Sequence, residues 1–305
     1  MKRLILLLGG TIISAIVAYM VLAVTPLVEP EWVNANIGQP GIVFLDLRTP
    51  SVYKKGHVPG AVYTSYKKDG WRVKNVEGII GMLPPVDQIS TLIGKLGISN
   101  EDHVELLPQG KNSSEMSTAM RVYWTFKMLG HDRVSILNGG MNAYKKAKKP
   151  SYPLETGENT PLAKTFRSDF RQDWVLSKAQ VKQVLDAEAV FVDSRKGDQF
   201  YGLNKHPKAK RLGAITGEVN VTQNRLTVGE KRTFRNKKDL RKIMIAQGVP
   251  SSGTVIIYCN SGQSASIDWF VLSELLANNE ARMYNGSMIE WSADPAMPME
   301  QRIIL

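Results

Sequence analysis

Cysteine is nearly missing from this chain: one thiol, Cys259, in 305 residues. A lone thiol can form no internal disulfide and cannot supply a multi-cysteine zinc or iron–sulfur site, so both of those structural uses are excluded. Histidine is also scarce. His57, His103, His131 and His206 stand in no informative local motif, which leaves a cysteine-protease arrangement without an evident base and orienting partner. Acidic residues are short relative to basic ones, 28 against 39, for a net charge of +11. That balance favours an acidic partner, whether nucleic acid, a lipid surface or an anionic substrate, and does not choose among them. With 43% hydrophobic and 22% charged residues, the chain is neither disordered, collagenous nor coiled-coil, and its length suggests two domains of about 100–200 residues each.

The first segment carries an address. Lys2 and Arg3 precede an uncharged run over residues 4–24, which as a helix rising about 1.5 Å per residue matches the roughly 30 Å core of a bilayer. Basic residues on the short side predict an internal N-terminus and export of the remainder, to the periplasm or another extracytoplasmic side. Val21-Leu22-Ala23 offers a small-residue cleavage site, while the apolar run exceeds a usual signal core. Residues 1–24 are therefore read as a signal peptide or an anchor, leaving the chain soluble or tethered. Export argues against nucleic acid as a partner. The Lys145–Lys149 cluster is read as the solvated end of a helix.

The chain repeats itself. An apolar run ending in Asp46-Leu47-Arg48 is answered by one ending in Asp193-Ser194-Arg195, and Asn138-Gly139-Gly140-Met141 by Asn285-Gly286-Ser287-Met288, at the same interval. Gly56-His57-Val58-Pro59-Gly60 pairs with Gly213-Ala214-Ile215-Thr216-Gly217 at a wider one, so the second copy holds a basic insertion with Lys205, His206, Lys208, Lys210 and Arg211. Apolar strands at 43–45, 134–137, 190–192 and 254–258 alternate with helical patterns. This predicts two α/β domains with mainly parallel sheets, at 27–150 and 165–300, joined by a polar, Pro- and Gly-containing linker over 151–164.

Cys259 directly follows the strand at 254–258, and Asn260, Ser261, Gly262 and Gln263 lead into a helix beginning near Ser264. A strand–loop–helix order puts the sulfur at the carboxyl end of a parallel strand, where backbone N–H groups and the helix N-terminus favour an anion, and so a thiolate. The alternative is a small buried core residue. A phosphatase that spaces Cys and Arg six apart would need Arg where Ala265 stands, so phosphate ester hydrolysis is disfavoured.

These motifs, with Tyr284-Asn285-Gly286-Ser287-Met288-Ile289-Glu290-Trp291 closing the series, resemble the tandem-domain rhodaneses, the thiosulfate and 3-mercaptopyruvate sulfurtransferases. The resemblance runs from about residue 27 to 298. It implies that Cys259 takes a sulfane sulfur from a small anionic donor as a persulfide and passes it to cyanide, a thiol or a protein acceptor. It implies that Asn260, Ser261, Gly262, Gln263 and Ser264 cradle the persulfide without metal or organic cofactor. Arg195 matches the family's substrate-binding Arg, the alternative being a salt bridge to Asp193. Lys67 and Gly81 stand where mercaptopyruvate enzymes carry Asp and His, Gln199 replaces a second family Arg, and neutral Asn260 and Ser261, closer to the Gly-Ser or Gly-Thr of mercaptopyruvate enzymes, replace the basic residues of thiosulfate enzymes, so the resemblance leaves both donors open. The basic insertion is read as a solvated loop in preference to a source of charge at the mouth, and His57 as an interdomain or loop-bonding residue in preference to a base. The competing reading is a non-enzymatic module that carries sulfur or senses redox state beside an envelope partner.

Overall fold

The structure, a computed structural model, describes residues 24–148, 150–185, 189–229 and 232–305. The expected membrane-targeting run lies outside the described residues except for Val24. Among those described, no helix is long and apolar enough to cross a membrane.

The first half runs β1 (Leu27–Val28), α1 (Pro30–Ala35), β2 (Ile42–Asp46), α2 (Pro50–Lys55), β3 (Val62–Tyr63), the hairpin β4 (Val73–Lys74) and β5 (Ile80–Met82), α3 (Val86–Lys95), β6 (His103–Leu107), α4 (Ser113–Met128), β7 (Val134–Leu137) and α5 (Gly140–Lys146). The second runs β8 (Val175–Leu176), α6 (Lys178–Val184), β9 (Val190–Asp193), α7 (Gly197–Phe200), β10 (Glu218–Asn220), the hairpin β11 (Thr227–Val228) and β12 (Thr233–Phe234), α8 (Lys237–Ala246), β13 (Val255–Tyr258), α9 (Ala265–Phe270), β14 (Ala281–Tyr284) and α10 (Ser287–Trp291). Each half builds a five-stranded sheet, β1-β7-β6-β2-β3 and β8-β14-β13-β9-β10, and every pairing within the two is parallel. The apolar runs become strands because a parallel sheet is covered on both faces, and β6, β7 and β13 are buried at every residue.

The linker runs along the first half. Lys164 N–H donates to the Gly94 carbonyl and Arg171 N–H to that of Met128, at 2.9 and 2.8 Å. His57 exchanges both backbone bonds with Glu155 and stacks on Tyr53 with ring centroids 4.0 Å apart, which is the expected loop-bonding role. The insertion of the second half also turns inward, because the Arg211 guanidinium donates to the carbonyls of Trp291, Ser292, Asp294 and Met297. Arg211 thus braces the C-terminal segment, a correction at this one residue to the reading of the stretch as a solvated loop, while Lys208 and Lys210 are exposed as expected.

One core joins the two halves. Helices α4 and α9 pack across the boundary, with Tyr123 edge-on to Phe270 at 5.0 Å. Polar bonds cross beside them: Ser266 Oγ donates to the Ser117 carbonyl at 3.0 Å, and Gln263 Nε2 to Thr118 Oγ1 at 3.0 Å. Cys259 belongs to this shared core, at the carboxyl end of β13.

Candidate active site

The cradle forms where β13 ends and α9 begins. Cys259 is 3% exposed, which a packed structural thiol would also show, so its surroundings decide the matter. Among the described residues, the backbone N–H groups of Asn260, Ser261, Gln263 and Ser264 have no acceptor within the protein. Successive unpaired N–H groups in a turn that opens a helix make a concave anion site. The N–H groups of Cys259 and Gly262 are committed elsewhere, both donating to Ser287 Oγ at 3.1 Å. The expected cradle of 260–264 is thereby corrected at one member: Gly262 braces the loop through its N–H and offers it to no ligand.

Ser287 fixes the loop's shape. Its hydroxyl accepts those two bonds and donates to the Tyr284 carbonyl at 2.9 Å, while its backbone sits at φ +50°. A non-glycine residue in this left-handed region costs about 1–2 kcal/mol. From the other side, Met288 and Ile289 N–H groups hold the carbonyls of Cys259 and Asn260 at 3.0 Å.

The first half supplies the floor. Arg121 of α4 is fully buried and lies over the Trp124 ring at 4.4 Å. Its Nη1 donates to the Gly262 carbonyl at 3.3 Å, and its Nη2 to the Gly81 carbonyl at 3.2 Å and to Asn285 Oδ1. No carboxylate pairs with it among the described residues. Burial pulls its pKa down, and the groups whose negative forms oppose that pull are Tyr66 and Cys259. A buried guanidinium with only neutral partners makes a negative charge nearby favourable. Close packing explains two glycines: a Cβ on Gly262, at φ +75°, would lie 2.4 Å from Arg121 Nη1, and one on Gly81 2.8 Å from the Ser261 Cβ.

Arg195 does not face a ligand with a free charge. Its Nε donates to Asp193 Oδ1 and Oδ2 at 3.0 and 2.9 Å, and its Nη2 to Asp193 Oδ2 at 2.6 Å and to the Gly213 carbonyl at 3.0 Å. That is the geometry of a loop brace, the alternative to the substrate contact expected of it. Arg48 repeats it in the other half, on Asp46 and the Gly56 carbonyl. Arg195 still borders a cavity of about 830 Å³ whose wall includes Asn260 and Ser264 of the cradle, Gln199, Asn224 and Arg232. The neutral Gln199 accepts from Asn260 Nδ2 at 2.9 Å.

Comparison with known proteins decides the family. The profile of the rhodanese-like domain matches twice, at residues 29–147 and 177–294. The chain belongs to the rhodanese family. A Mycobacterium bovis relative is 31% identical over 287 residues, covering 90% of this chain and 97% of its own. The thiosulfate sulfurtransferase of Corynebacterium glutamicum is 29% identical over 287 residues, covering 90% of each. Among solved structures, the 3-mercaptopyruvate enzyme SseA of Escherichia coli superposes with a TM-score of 0.72 at 23% identity, over 86% of this chain and 98% of that one. Wild-type EanB does so with a TM-score of 0.76 at 19% identity, over 92% and 70%. These structural likenesses show the fold. In rhodanese terms, the residues that sequence reasoning missed are Arg121 and Ser287. Arg121 carries no local signal, whereas Ser287 was visible as a serine replacing Gly140 of the first copy.

Proposed function

We propose that this rhodanese is a sulfurtransferase in which Cys259 carries a sulfane sulfur from a small anionic donor to cyanide or a thiol. The observation that carries the reading is the set of unpartnered N–H groups around the chain's single thiol, over a buried cation. With thiosulfate, the Cys259 thiolate attacks the outer sulfur, the S–S bond of the donor breaks, and sulfite leaves with the bonding pair. The product is a persulfide anion that the N–H groups of Asn260, Ser261, Gln263 and Ser264 stabilise. Cyanide then attacks the terminal sulfur, thiocyanate departs and the thiolate returns. A thiolate acceptor, free or on a protein, takes the sulfur as its own persulfide. No step calls for a metal or an organic cofactor.

Thiosulfate is favoured over 3-mercaptopyruvate. The names of curated relatives support this, and so does Gly81, where contact with Ser261 leaves no room for the His of mercaptopyruvate enzymes. The basic flank and apolar run at 1–24 support export, with that segment either removed or kept as an anchor; fractionation with a C-terminal tag tests it.

Incubation with thiosulfate should add one sulfur atom to Cys259, read by mass spectrometry, and cyanide should remove it as thiocyanate. Cys259→Ser should lose turnover entirely. Absence of the adduct with either donor, or turnover that survives the substitution, overturns the sulfurtransferase reading and leaves a non-enzymatic module.

A further inference from the structure

The donor is an anion, and the charge that receives it has to come from the cavity beside the cradle. Three cations line that cavity, Arg195, Lys196 and Arg232, together with one carboxylate, Asp198. Arg195 is neutralised by Asp193. Asp198 is held at the wall, its Oδ1 accepting from the Gln199 N–H at 2.9 Å and its Oδ2 from Asn204 Nδ2 at 3.2 Å. Lys196 is exposed, so water competes for its ammonium.

Arg232 is different on three counts. It is half-buried, and its Nε is shut from solvent with no hydrogen-bond partner. Among the described residues, no carboxylate forms an ion pair with it. Its backbone is held at φ +53°, at the end of the turn between β11 and β12, where its N–H reaches the Gly229 carbonyl at 3.4 Å. Glycine is the favoured residue at such a position, and a long side chain there is strained. A strained, unpaired guanidinium on a cavity wall is the pattern left when backbone comfort yields to a ligand contact.

We infer that Arg232 binds the anionic end of the sulfur donor, the role that the paired Arg195 does not fill. The inference rests on the sulfurtransferase reading above and names the specificity-determining residue of its first half-reaction. A planar guanidinium fits the oxygens of a sulfonate-like or carboxylate group through two parallel N–H bonds. The geometry also separates this role from a structural one. A merely structural Arg232 would be improved upon by glycine, whereas a donor anchor would not.

The test uses the full chain and thiosulfate. Arg232→Gly should keep or raise the melting temperature, because it relieves the positive φ, yet raise KM for thiosulfate tenfold or more with kcat changed less than threefold. Arg232→Lys should recover part of that loss, and the Arg232→Gly enzyme should show a flatter dependence of kcat/KM on salt. A KM within twofold of the parent in Arg232→Gly, or an equal rise in KM on replacing Lys196 alone, overturns the assignment. Should the parent show no turnover at all, thiosulfate binding to Cys259→Ser and to Cys259→Ser with Arg232→Gly, measured by calorimetry, decides it separately: tighter binding with Arg232 present supports the anchor, and equal binding removes it.

Discussion

The two halves of this rhodanese start from the same frame, and two of their differences bear directly on the Cys259 loop. Register aligns them: Asp46 pairs with Leu107 and Asp193 with Tyr258, so the next residue is Pro108 in one half and Cys259 in the other. The carbonyl of each is held by the N–H of a methionine, Met141 at 2.8 Å and Met288 at 3.0 Å. The first difference removes the nucleophile. The second is Gly140 against Ser287, both at positive φ, +61° and +50°. In the first half a Cβ on Gly140 would lie 2.4 Å from the Pro108 carbonyl oxygen, so the loop has collapsed onto the glycine. In the second half the serine hydroxyl holds the loop open through Cys259 and Gly262. The half without the thiol contributes as well, since its Arg121 forms the floor of the Cys259 loop. The surroundings of Cys259 are thus built from both domains.

Breaking that dependence should have the largest effect. Arg121→Met would remove the cation and leave the carbonyls of Gly81 and Gly262 and the amide of Asn285 without their donor. Unpaired buried acceptors cost roughly 1–3 kcal/mol each. The persulfide-forming rate should fall about a hundredfold, which corresponds to about 2.7 kcal/mol, and the melting temperature should drop as well. The two are separable by rapid-mixing kinetics below the unfolding transition. Arg121→Lys should restore stability better than rate, because a point charge cannot serve three acceptors in the guanidinium's plane. A rate unchanged in folded Arg121→Met would show that the first half contributes only packing.

The serine tests the second difference. Ser287→Gly makes the second half resemble the first at this position, removing the hydroxyl while relieving a strain of about 1–2 kcal/mol. Ser287→Ala removes the same hydroxyl and keeps the strain. Alanine normally stabilises relative to glycine; here the order should invert, with Ser287→Gly melting above Ser287→Ala, while both lose about tenfold in turnover as the cradle loosens. Differential scanning calorimetry and the cyanide assay check the two parts.

What was legible in the sequence was what repeats or runs. The apolar runs became the buried parallel strands, the equal intervals between motifs became superposable loops, and Cys259 stands where strand, loop and helix meet. Arg195 was read through resemblance as a ligand contact. Yet Arg48 in the same motif of the copy without a thiol is a brace as well, and a contact common to both halves cannot be what distinguishes them. Arg121 was hidden, since its partners Gly262 and Asn285 lie far along the chain and a helical arginine looks alike whether buried or solvated. The strain at Ser287 and Arg232 is a backbone dihedral, which the residue name does not disclose. His57 was read correctly because its counterpart Ala214 lacks a ring, so no shared chemistry could depend on it.

The smallest expected effect concerns stability and belongs to the second half alone. Glu218 in β10 aligns with Ala61, one residue before the paired Val62 and Val219. Its Oε1 accepts from Arg302 Nη1 at 2.6 Å, but its Oε2 is buried without a partner. Burial raises its pKa from 4.5 to about 7 against the pull of Arg302. A carboxyl group with a raised folded pKa binds more protons folded than unfolded between those two values, so stability is present below about 4.5 and is lost as pH rises through 7. The shift corresponds to a few kcal/mol at most, and relaxation around Arg302 should leave about 1 kcal/mol. Glu218→Gln should therefore flatten the pH dependence of the melting temperature between pH 4.5 and 7, while Ala61 gives the first half nothing to titrate at the equivalent place. An unchanged slope in Glu218→Gln would mean that the ion pair with Arg302 holds Glu218 charged throughout.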